Sequence, residues 1–373
     1  MAVAAAPGPD VRVHIGSVSG DGAATILGAG LASLALTWVL FERVLPFSGV
    51  LAFWIAWYLV FLVFYGVMAT MQWDRQEAGN RVTAIGFGTG GALALAIVVA
   101  IVAYILAKGA AAISHISFIT QSMANSGPSL PLGVGGALHA IIGTLEQIGL
   151  ATLFSVPLGI AAALFLAEVG GPLARPVRTI VEAMTALPDL IAGLFIYVLF
   201  ILTLHFVKSG LMAALALSVT MMPIVTRASE VVIRLVPGTL REASLALGGS
   251  QWRTAWNVIL PTARSGLATA VVLAMARGIG ETAAVLFTAD FTKVTNLNPF
   301  SGPQINLPLY IWNYAHNEGQ IPADLQRGFG GAFVLIVLVL GLFTLARILG
   351  GAAPGEMSRR QRRKISRAAA AQT

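Results

Sequence analysis

Residues Arg241–Pro261, REASLALGGSQWRTAWNVILP, form a polar island between two apolar stretches. Ala243, Ser244, Leu245, Ala246 and Leu247 precede a glycine pair, Gly248-Gly249, which can supply the left-handed turn that stops a helix. Glu242 stands near the helix start, where the macrodipole favours a carboxylate. Trp252 and Trp256, four residues apart, then share one face of a second segment. Two short helices around a glycine break are an expensive way to join two spans unless something docks on them. The other reading open at this point is an amphipathic loop helix lying on a membrane surface.

Working outward, composition sets the class. Hydrophobic residues make up 57% of the chain, charged residues 10%, and the mean hydropathy is +0.82. A soluble domain carries about 25% charged residues, so a polytopic membrane protein is expected. With no cysteine, disulfides, thiolate chemistry and cysteine metal sites are excluded. The formal charge of +7 owes much to one tail, Arg359-Arg360-Gln361-Arg362-Arg363-Lys364, which reads as a topology anchor beside an apolar span rather than a nucleic-acid site. Met1–Asp10 has no basic n-region, so a cleaved signal peptide is not expected.

Crossing the hydrocarbon takes about 20 apolar residues. Eight stretches qualify: Ala23–Phe41, Gly49–Met71, Ala84–Ala107, Ala140–Leu166, Ile180–Val207, Gly210–Val225, Ser265–Ala289 and Gly328–Leu349. All should be helices, because lipid offers no partner to an open sheet edge, which gives an all-α transmembrane bundle. Pro157, Pro188 and Pro223 interrupt them, and neighbouring helices are expected to satisfy the freed carbonyls. Small residues such as Gly159–Ala163 allow close approach. No internal repeat is visible.

If the N-terminus is cytoplasmic, the inside segments hold 17 Lys and Arg against five outside, with Arg277 inside a span. That asymmetry puts both termini and the polar island on the cytoplasmic side. Two long loops fall outside. Lys108–Leu138 contains the turn-rich Asn125–Pro131, and Asp290–Arg327 contains Pro299, Pro303, Pro308 and an aromatic segment, Leu309–Ala315, short enough to lie in the interface or cover a pore mouth.

Arg277 and Glu281 lie four residues apart in the seventh stretch, where an isolated charge costs about 2.5–3.5 kcal/mol on insertion scales. On an unbroken helix they share a face and can pair. One reading is a structural ion pair. The other is a transient oxyanion site in which Arg277 presents forked donors, Glu281 neutralises it between passages and Thr282 offers a hydroxyl. Arg227, at the inner end of the sixth stretch, is a second candidate station or an inner-face anchor.

The island resembles the EAA loop of ABC-importer permeases in Glu242, Ala243, Gly248, Leu260 and Pro261, with Ser244 and Val258 departing from the usual pattern. Together with Pro223–Glu230, Arg234–Pro237 and Ala276–Ala283, it is similar to the PstA-type permease subunits of phosphate ABC importers from roughly Ala84 to Leu349. The resemblance implies a type I importer permease domain over 84–350, with 1–83 an extension carrying two additional spans and 351–373 a basic cytoplasmic tail. It implies that Glu242, Ala243, Ser244, Leu247, Gly248, Leu260 and Pro261 couple to an ATPase, and that Arg277, Glu281 and Arg227 serve phosphate passage. The implied partners are a distinct second permease subunit (PstC type), an ATPase subunit dimer (PstB type) holding ATP and Mg, and an extracytoplasmic phosphate-binding protein (PstS type). The chain has no Gly-x-x-x-x-Gly-Lys-Ser/Thr of its own, so no cofactor is assigned to it. A permease for molybdate or phosphonate and an ATP-independent secondary transporter are the rival readings; an enzyme is disfavoured by scattered histidines and no nucleophile motif.

Overall fold

The computed structural model describes residues 20–44, 49–124, 130–316 and 322–350, and every regular element among them is helical. The chain divides into two compact units, Met1–Ile101 and Val102–Thr373. The division falls inside one helix, and residue 83, the expected end of the extension, lies in that same helix.

In the first unit, α1 (Gly20–Val39) packs on α2 (Val50–Gln72), with Ala29, Phe61 and Tyr65 at their contact. Thr25 donates from Oγ1 to Gln72 Oε1 at 2.7 Å, and a run of aromatic contacts links Trp54, Trp57, Phe61 and Tyr65. The unit continues into α3 (Arg75–Ile113), longer at both ends than the expected third stretch.

The second unit follows as α4 (Ser117–Thr120), α5 (Leu138–Leu164), α6 (Ala174–Ala186), α7 (Asp189–Ile196), α8 (Gly210–Arg234), α9 (Gly238–Ala246), α10 (Gln251–Thr254), α11 (Leu260–Ile279), α12 (Ala283–Thr288), α13 (Leu307–His316) and α14 (Pro322–Gly350). Among the described residues, seven helices are long and apolar enough to cross a membrane, or eight if the bent pair α6 and α7 makes one span. The expected bundle of about eight spans is therefore observed.

The centre of this unit is α5 against α8, with α11 against both. Pro157 and Pro223 both sit inside continuous helices, Pro223 buried at this packed centre and Pro157 on the exposed side of α5. Close approach needs small residues. A Cβ on Gly159 would lie 2.8 Å from Val225, and one on Gly278 would lie 2.6 Å from the Met221 sulfur.

Two of the eight stretches differ from expectation. Ile180–Val207 is not one straight helix: it starts earlier, at Ala174, and bends by 106° between Ala186 and Asp189. Leu187 is extended because the following Pro188 disfavours the helical region, and Pro188 has no N–H with which to continue a ladder. Ser265–Ala289 is also broken. Its helix begins on the loop side at Gln251, passes through a wide turn at Ala255–Ile259 that accommodates Pro261, and stops at Ile279 with Gly280 as its cap. A separate helix, α12, follows.

The second long loop does more than connect. Gln304, Ile305, Asn306 and Leu307 are buried between α5 and α8, and a Cβ on Gly143 would stand 2.1 Å from the Ile305 carbonyl. Gln147 donates to the Gln304 carbonyl at 2.8 Å, and Leu307 N–H donates to Thr144 Oγ1 at 2.8 Å. The segment Leu309–Ala315, expected to lie in the interface or cover a pore mouth, falls within α13, whose Tyr310 and Tyr314 pack into the core. In the first long loop, Asn125–Ser129 lies outside the described residues, as does the basic tail after Gly350.

Arg327 and Asp324, both 0% exposed, pair at 2.7 Å at the start of α14, and Arg327 also donates to the carbonyls of Leu130, Pro131 and Val134 at 2.9, 3.1 and 3.2 Å. One guanidinium thus ties the first long loop to the last helix. Replacing Arg327 by leucine leaves a buried Asp324 charge without its partner and is expected to cost about 3–5 kcal/mol, lowering the thermal midpoint of the solubilised protein sharply. The double variant Arg327→Leu/Asp324→Leu should recover much of that loss; equal losses in single and double variants would contradict the clasp.

Candidate functional site

The loop site is built on α9. This helix ends as its glycines require: Gly248 takes φ +81°, Gly248 N–H donates to the Leu245 carbonyl at 2.9 Å, and Gly249 N–H donates to the Ser244 carbonyl at 3.0 Å. This is a Schellman stop, and it satisfies carbonyls that the helix end would leave open. Ser244 Oγ and Thr254 Oγ1 are 2.8 Å apart, closing α9 onto α10 across the turn. Ser250 caps α10 by accepting from Arg253 N–H at 3.3 Å.

The knob so formed has an apolar face with nothing on it. Leu247 is 89% exposed, Trp252 68%, and Leu245 and Trp256 are also exposed, although the two Trp rings contact each other edge to face at 5.6 Å. Its base is fastened. Arg241 reaches Glu168 Oε1 at 2.8 Å, at the end of the α5 span, and donates to the Ile233 carbonyl at 2.8 Å, at the end of α8. Arg241 thus joins the knob to the ends of both central helices.

Beside this base, Glu230 is nearly buried and held by Arg178 at 2.9 Å and Arg234 at 2.8 Å, with Arg227 at 3.9 Å. Arg227 makes its shorter contact, 2.7 Å, with Glu182 of α6. Of the expected path residues, Arg227 thus stands at the loop end, already paired.

Arg277 is paired as well, but not with Glu281. Its guanidinium donates to Asp189, the first residue of α7 after the Pro188 bend. Because α11 stops at Ile279, the i,i+4 relation to Glu281 is lost. The Glu281 carboxylate turns forward to accept from Ala283 N–H at 3.2 Å, and its carbonyl accepts from Asn306 of the dipping loop at 3.1 Å. Thr282 occupies the position before α12 without a side-chain capping hydrogen bond. Both charges in the Arg277–Asp189 pair gain from where they sit: a cation in the last turn of α11 and a carboxylate in the first turn of α7. The two helix breaks are brought together by close packing, since a Cβ on Gly193 would fall 2.5 Å from Ala284 Cα.

Sequence reading singled out Arg277, Glu281, Arg227 and the coupling residues but not Asp189, Glu182 or Glu230, and it set Glu242 near a helix start, whereas α9 begins at Gly238 and carries Glu242 in its middle. The available signal for Asp189 was its position directly after Pro188, a helix start inside an apolar stretch.

At the opposite end, Lys208 and Asp290 pair at 3.0 Å, alongside Ser209 N–H donating to the Thr288 carbonyl at 3.1 Å. Burial pushes the Asp290 carboxyl up, but the Phe291 N–H at 2.9 Å, the Lys208 hydrogen bond and the Lys208 charge together carry it below the ordinary value.

A bundle of membrane-length helices with a helical knob at one end and paired charges at its helix breaks is the form of a polytopic membrane subunit. The chain belongs to the family of binding-protein-dependent transport system inner membrane components, which it matches over residues 155–353. It is 36% identical over 269 residues to a phosphate transport system permease protein PstA of Mycobacterium leprae, an alignment covering 72% of this chain and 87% of the relative. The PstA of Haemophilus influenzae is 37% identical over 243 residues, covering 64% and 83%, and a probable ABC transporter permease protein, YqgI, of Bacillus subtilis is 34% identical over 278 residues, covering 71% and 92%. Among solved structures, the inward-facing MetNI methionine ABC transporter aligns with 56% of this chain and 89% of its own at 20% identity and a TM-score of 0.43.

Two predictions follow from the geometry. Gly248→Val forces a β-branched residue to φ +81° with open space around it, so the cost is backbone strain of about 1–2 kcal/mol, while Gly238→Ala, at an unstrained and equally open position, is tolerated. Limited proteolysis between residues 247 and 250 should accelerate roughly 5- to 30-fold in the first variant only. For Asp290, whose folded value is depressed, stability is present above the ordinary aspartate range and is lost as pH falls through that depressed value. Lys208→Gln should therefore shift the acid limb of the stability profile to higher pH, and an unshifted limb would contradict the pairing.

Proposed function

We propose that this protein is the membrane permease subunit of an ATP-driven phosphate importer, forming part of the translocation path and taking its energy from a separate ATPase. The observation that carries this reading is the identity to PstA permeases along most of their length, 87% in one case, over a region that includes the knob and both charged breaks. An importer permease for molybdate or phosphonate would use the same knob, but the relatives do not favour it, and a secondary transporter would have no use for an exposed docking helix.

In this reading the knob lies in the cytoplasm, both termini are cytoplasmic, and the excess of Lys and Arg at that end orients the bundle. The ion pairs support one consistent assignment of sides: Arg241–Glu168 and Arg178–Glu230 join segments expected inside, and Lys208–Asp290 joins segments expected outside. A dimer of ATPase subunits receives the exposed Leu247 and Trp252 and holds ATP and Mg. A second permease subunit completes the path, and an extracytoplasmic phosphate-binding protein delivers substrate to the end where the dipping loop and α13 sit.

Mechanistically, closure of the ATPase pushes on α9, the Arg241 clasp passes the displacement to the ends of the α5 span and α8, and the broken spans that hold Arg277 shift with them. Arg277 then offers forked donors to a tetrahedral oxyanion, and an intramembrane carboxylate nearby keeps the cation from holding the anion too long. Glu281 and Thr282, at the same break, line the route beside it.

Leu247→Asp removes the apolar tip of the knob without touching any residue of the bundle. In the assembled importer, reconstituted in liposomes, phosphate uptake driven by internal ATP should fall at least tenfold while membrane insertion and thermal midpoint stay unchanged. Uptake at the wild-type rate would contradict docking through α9, and uptake without ATPase subunits would contradict the whole reading.

A further inference from the structure

Both arginines that could receive an anion along the path are already occupied by carboxylates, and both carboxylates come from one bent element. Glu182, in α6, holds Arg227 at 2.7 Å, and Asp189, the first residue of α7, holds Arg277. Between the two lies the 106° bend at Leu187–Pro188. Asp189 is set by that bend: Pro188 fixes the start of α7, and the close approach of Gly193 to Ala284 holds α7 beside the helix break that follows Arg277. The pair is open on the arginine side, where 52% of the Arg277 side chain is exposed against 23% of Asp189, so a second anion has access to the guanidinium without unpacking the bundle.

We propose that Asp189 is the resident counter-ion of Arg277, a positioning residue that an incoming tetrahedral oxyanion must displace and that expels the anion when it returns. The inference deepens the transport reading and rests on it for the class of ligand. Two like charges cannot both hold one guanidinium fork at full strength, so occupancy by substrate and pairing with Asp189 are alternatives. Movement of α6 withdraws Asp189 from Arg277, because only the two-residue link Leu187–Pro188 separates α6 from α7. The other end of that lever is the Arg178–Glu230 and Arg227–Glu182 clasp at the knob end, at 2.9 and 2.7 Å. Glu281 is a poorer candidate for the same role, since its carboxylate accepts from Ala283 N–H and stands against Asp189 rather than on Arg277.

The test is equilibrium binding of radiolabelled phosphate to the purified, nucleotide-free importer complex containing this chain, followed by uptake in liposomes. Asp189→Asn removes the competing charge and keeps the shape. The expected result is an affinity for phosphate roughly three- to tenfold higher with a lower maximal uptake rate, because the anion is no longer pushed off. Asp189→Glu should restore wild-type values, and Arg277→Gln/Asp189→Asn should bind no more tightly than Arg277→Gln alone. A purely structural Asp189 would lower affinity and uptake together, and that result, or unchanged affinity in Asp189→Asn, overturns the proposal. Repeating the binding with molybdate and with sulfate separates the two readings: a wild-type complex that binds one of these and not phosphate overturns the substrate, while the Asp189→Asn shift on the anion actually bound still decides the counter-ion.

Discussion

Hydrogen bonding of the backbone inside hydrocarbon is the constraint from which the rest follows. A chain that breaks a helix within a membrane exposes amides and carbonyls that must find partners in the protein, so a break survives only where neighbours crowd around it. Here two breaks are placed side by side, at Leu187–Pro188 and at Gly280–Thr282, with Gly193 pressed on Ala284 and Asn306 of the dipping loop donating to the Glu281 carbonyl. Those breaks also bring two helix ends together, the carboxylate-favouring start of α7 and the cation-favouring end of α11, with the arginine side left exposed. Asp189 and Arg277 occupy those two ends, and the ion pair is a consequence of the geometry as much as a cause of it.

The same logic links the membrane to the loop. Arg241 reaches both the end of the α5 span, at Glu168, and the end of α8, at the Ile233 carbonyl, so the knob is attached to the two helices that form the centre of the unit. A rigid stop at Gly248 and Gly249 keeps Leu247 and Trp252 projecting away from that base. Rigid attachment at one face and an apolar tip at the other suit a part that transmits displacement. Desolvation offsets most of the attraction in ion pairs with a largely buried partner, so the worth of the Arg241 and Glu230 clusters lies in the geometry they impose.

Much of this was legible in the residues themselves. Hydropathy located the straight spans, because the cost of placing polar backbone in lipid leaves only long apolar helices, and Gly248-Gly249 announced the loop stop because glycine alone takes φ +81° without strain. Pro188 signalled an interruption but not its size, since a proline inside α5 or α8 leaves the helix continuous and the one before α7 turns it by 106°. The pairing of Arg277 with Glu281 failed for a related reason: spacing by four is informative only on an unbroken helix, and Gly280 ends this one. Asp189 lies 88 residues from Arg277, and no local rule brings such a pair together. The burial of Gln304–Leu307 was hidden likewise, because a proline-rich loop reads as a connector until Gly143 is seen to admit its backbone.

The central claim, that an exposed knob on the cytoplasmic face carries the drive of a partner to paired charges in the bundle, is tested most directly by the accessibility of Leu247. The chain contains no cysteine, so Leu247→Cys provides a unique thiol. Labelling with a membrane-impermeant maleimide is predicted to occur in inside-out vesicles and not in right-side-out ones, and to be blocked when the ATPase subunits are bound. Labelling from the outside, or labelling that bound ATPase leaves untouched, would contradict the account.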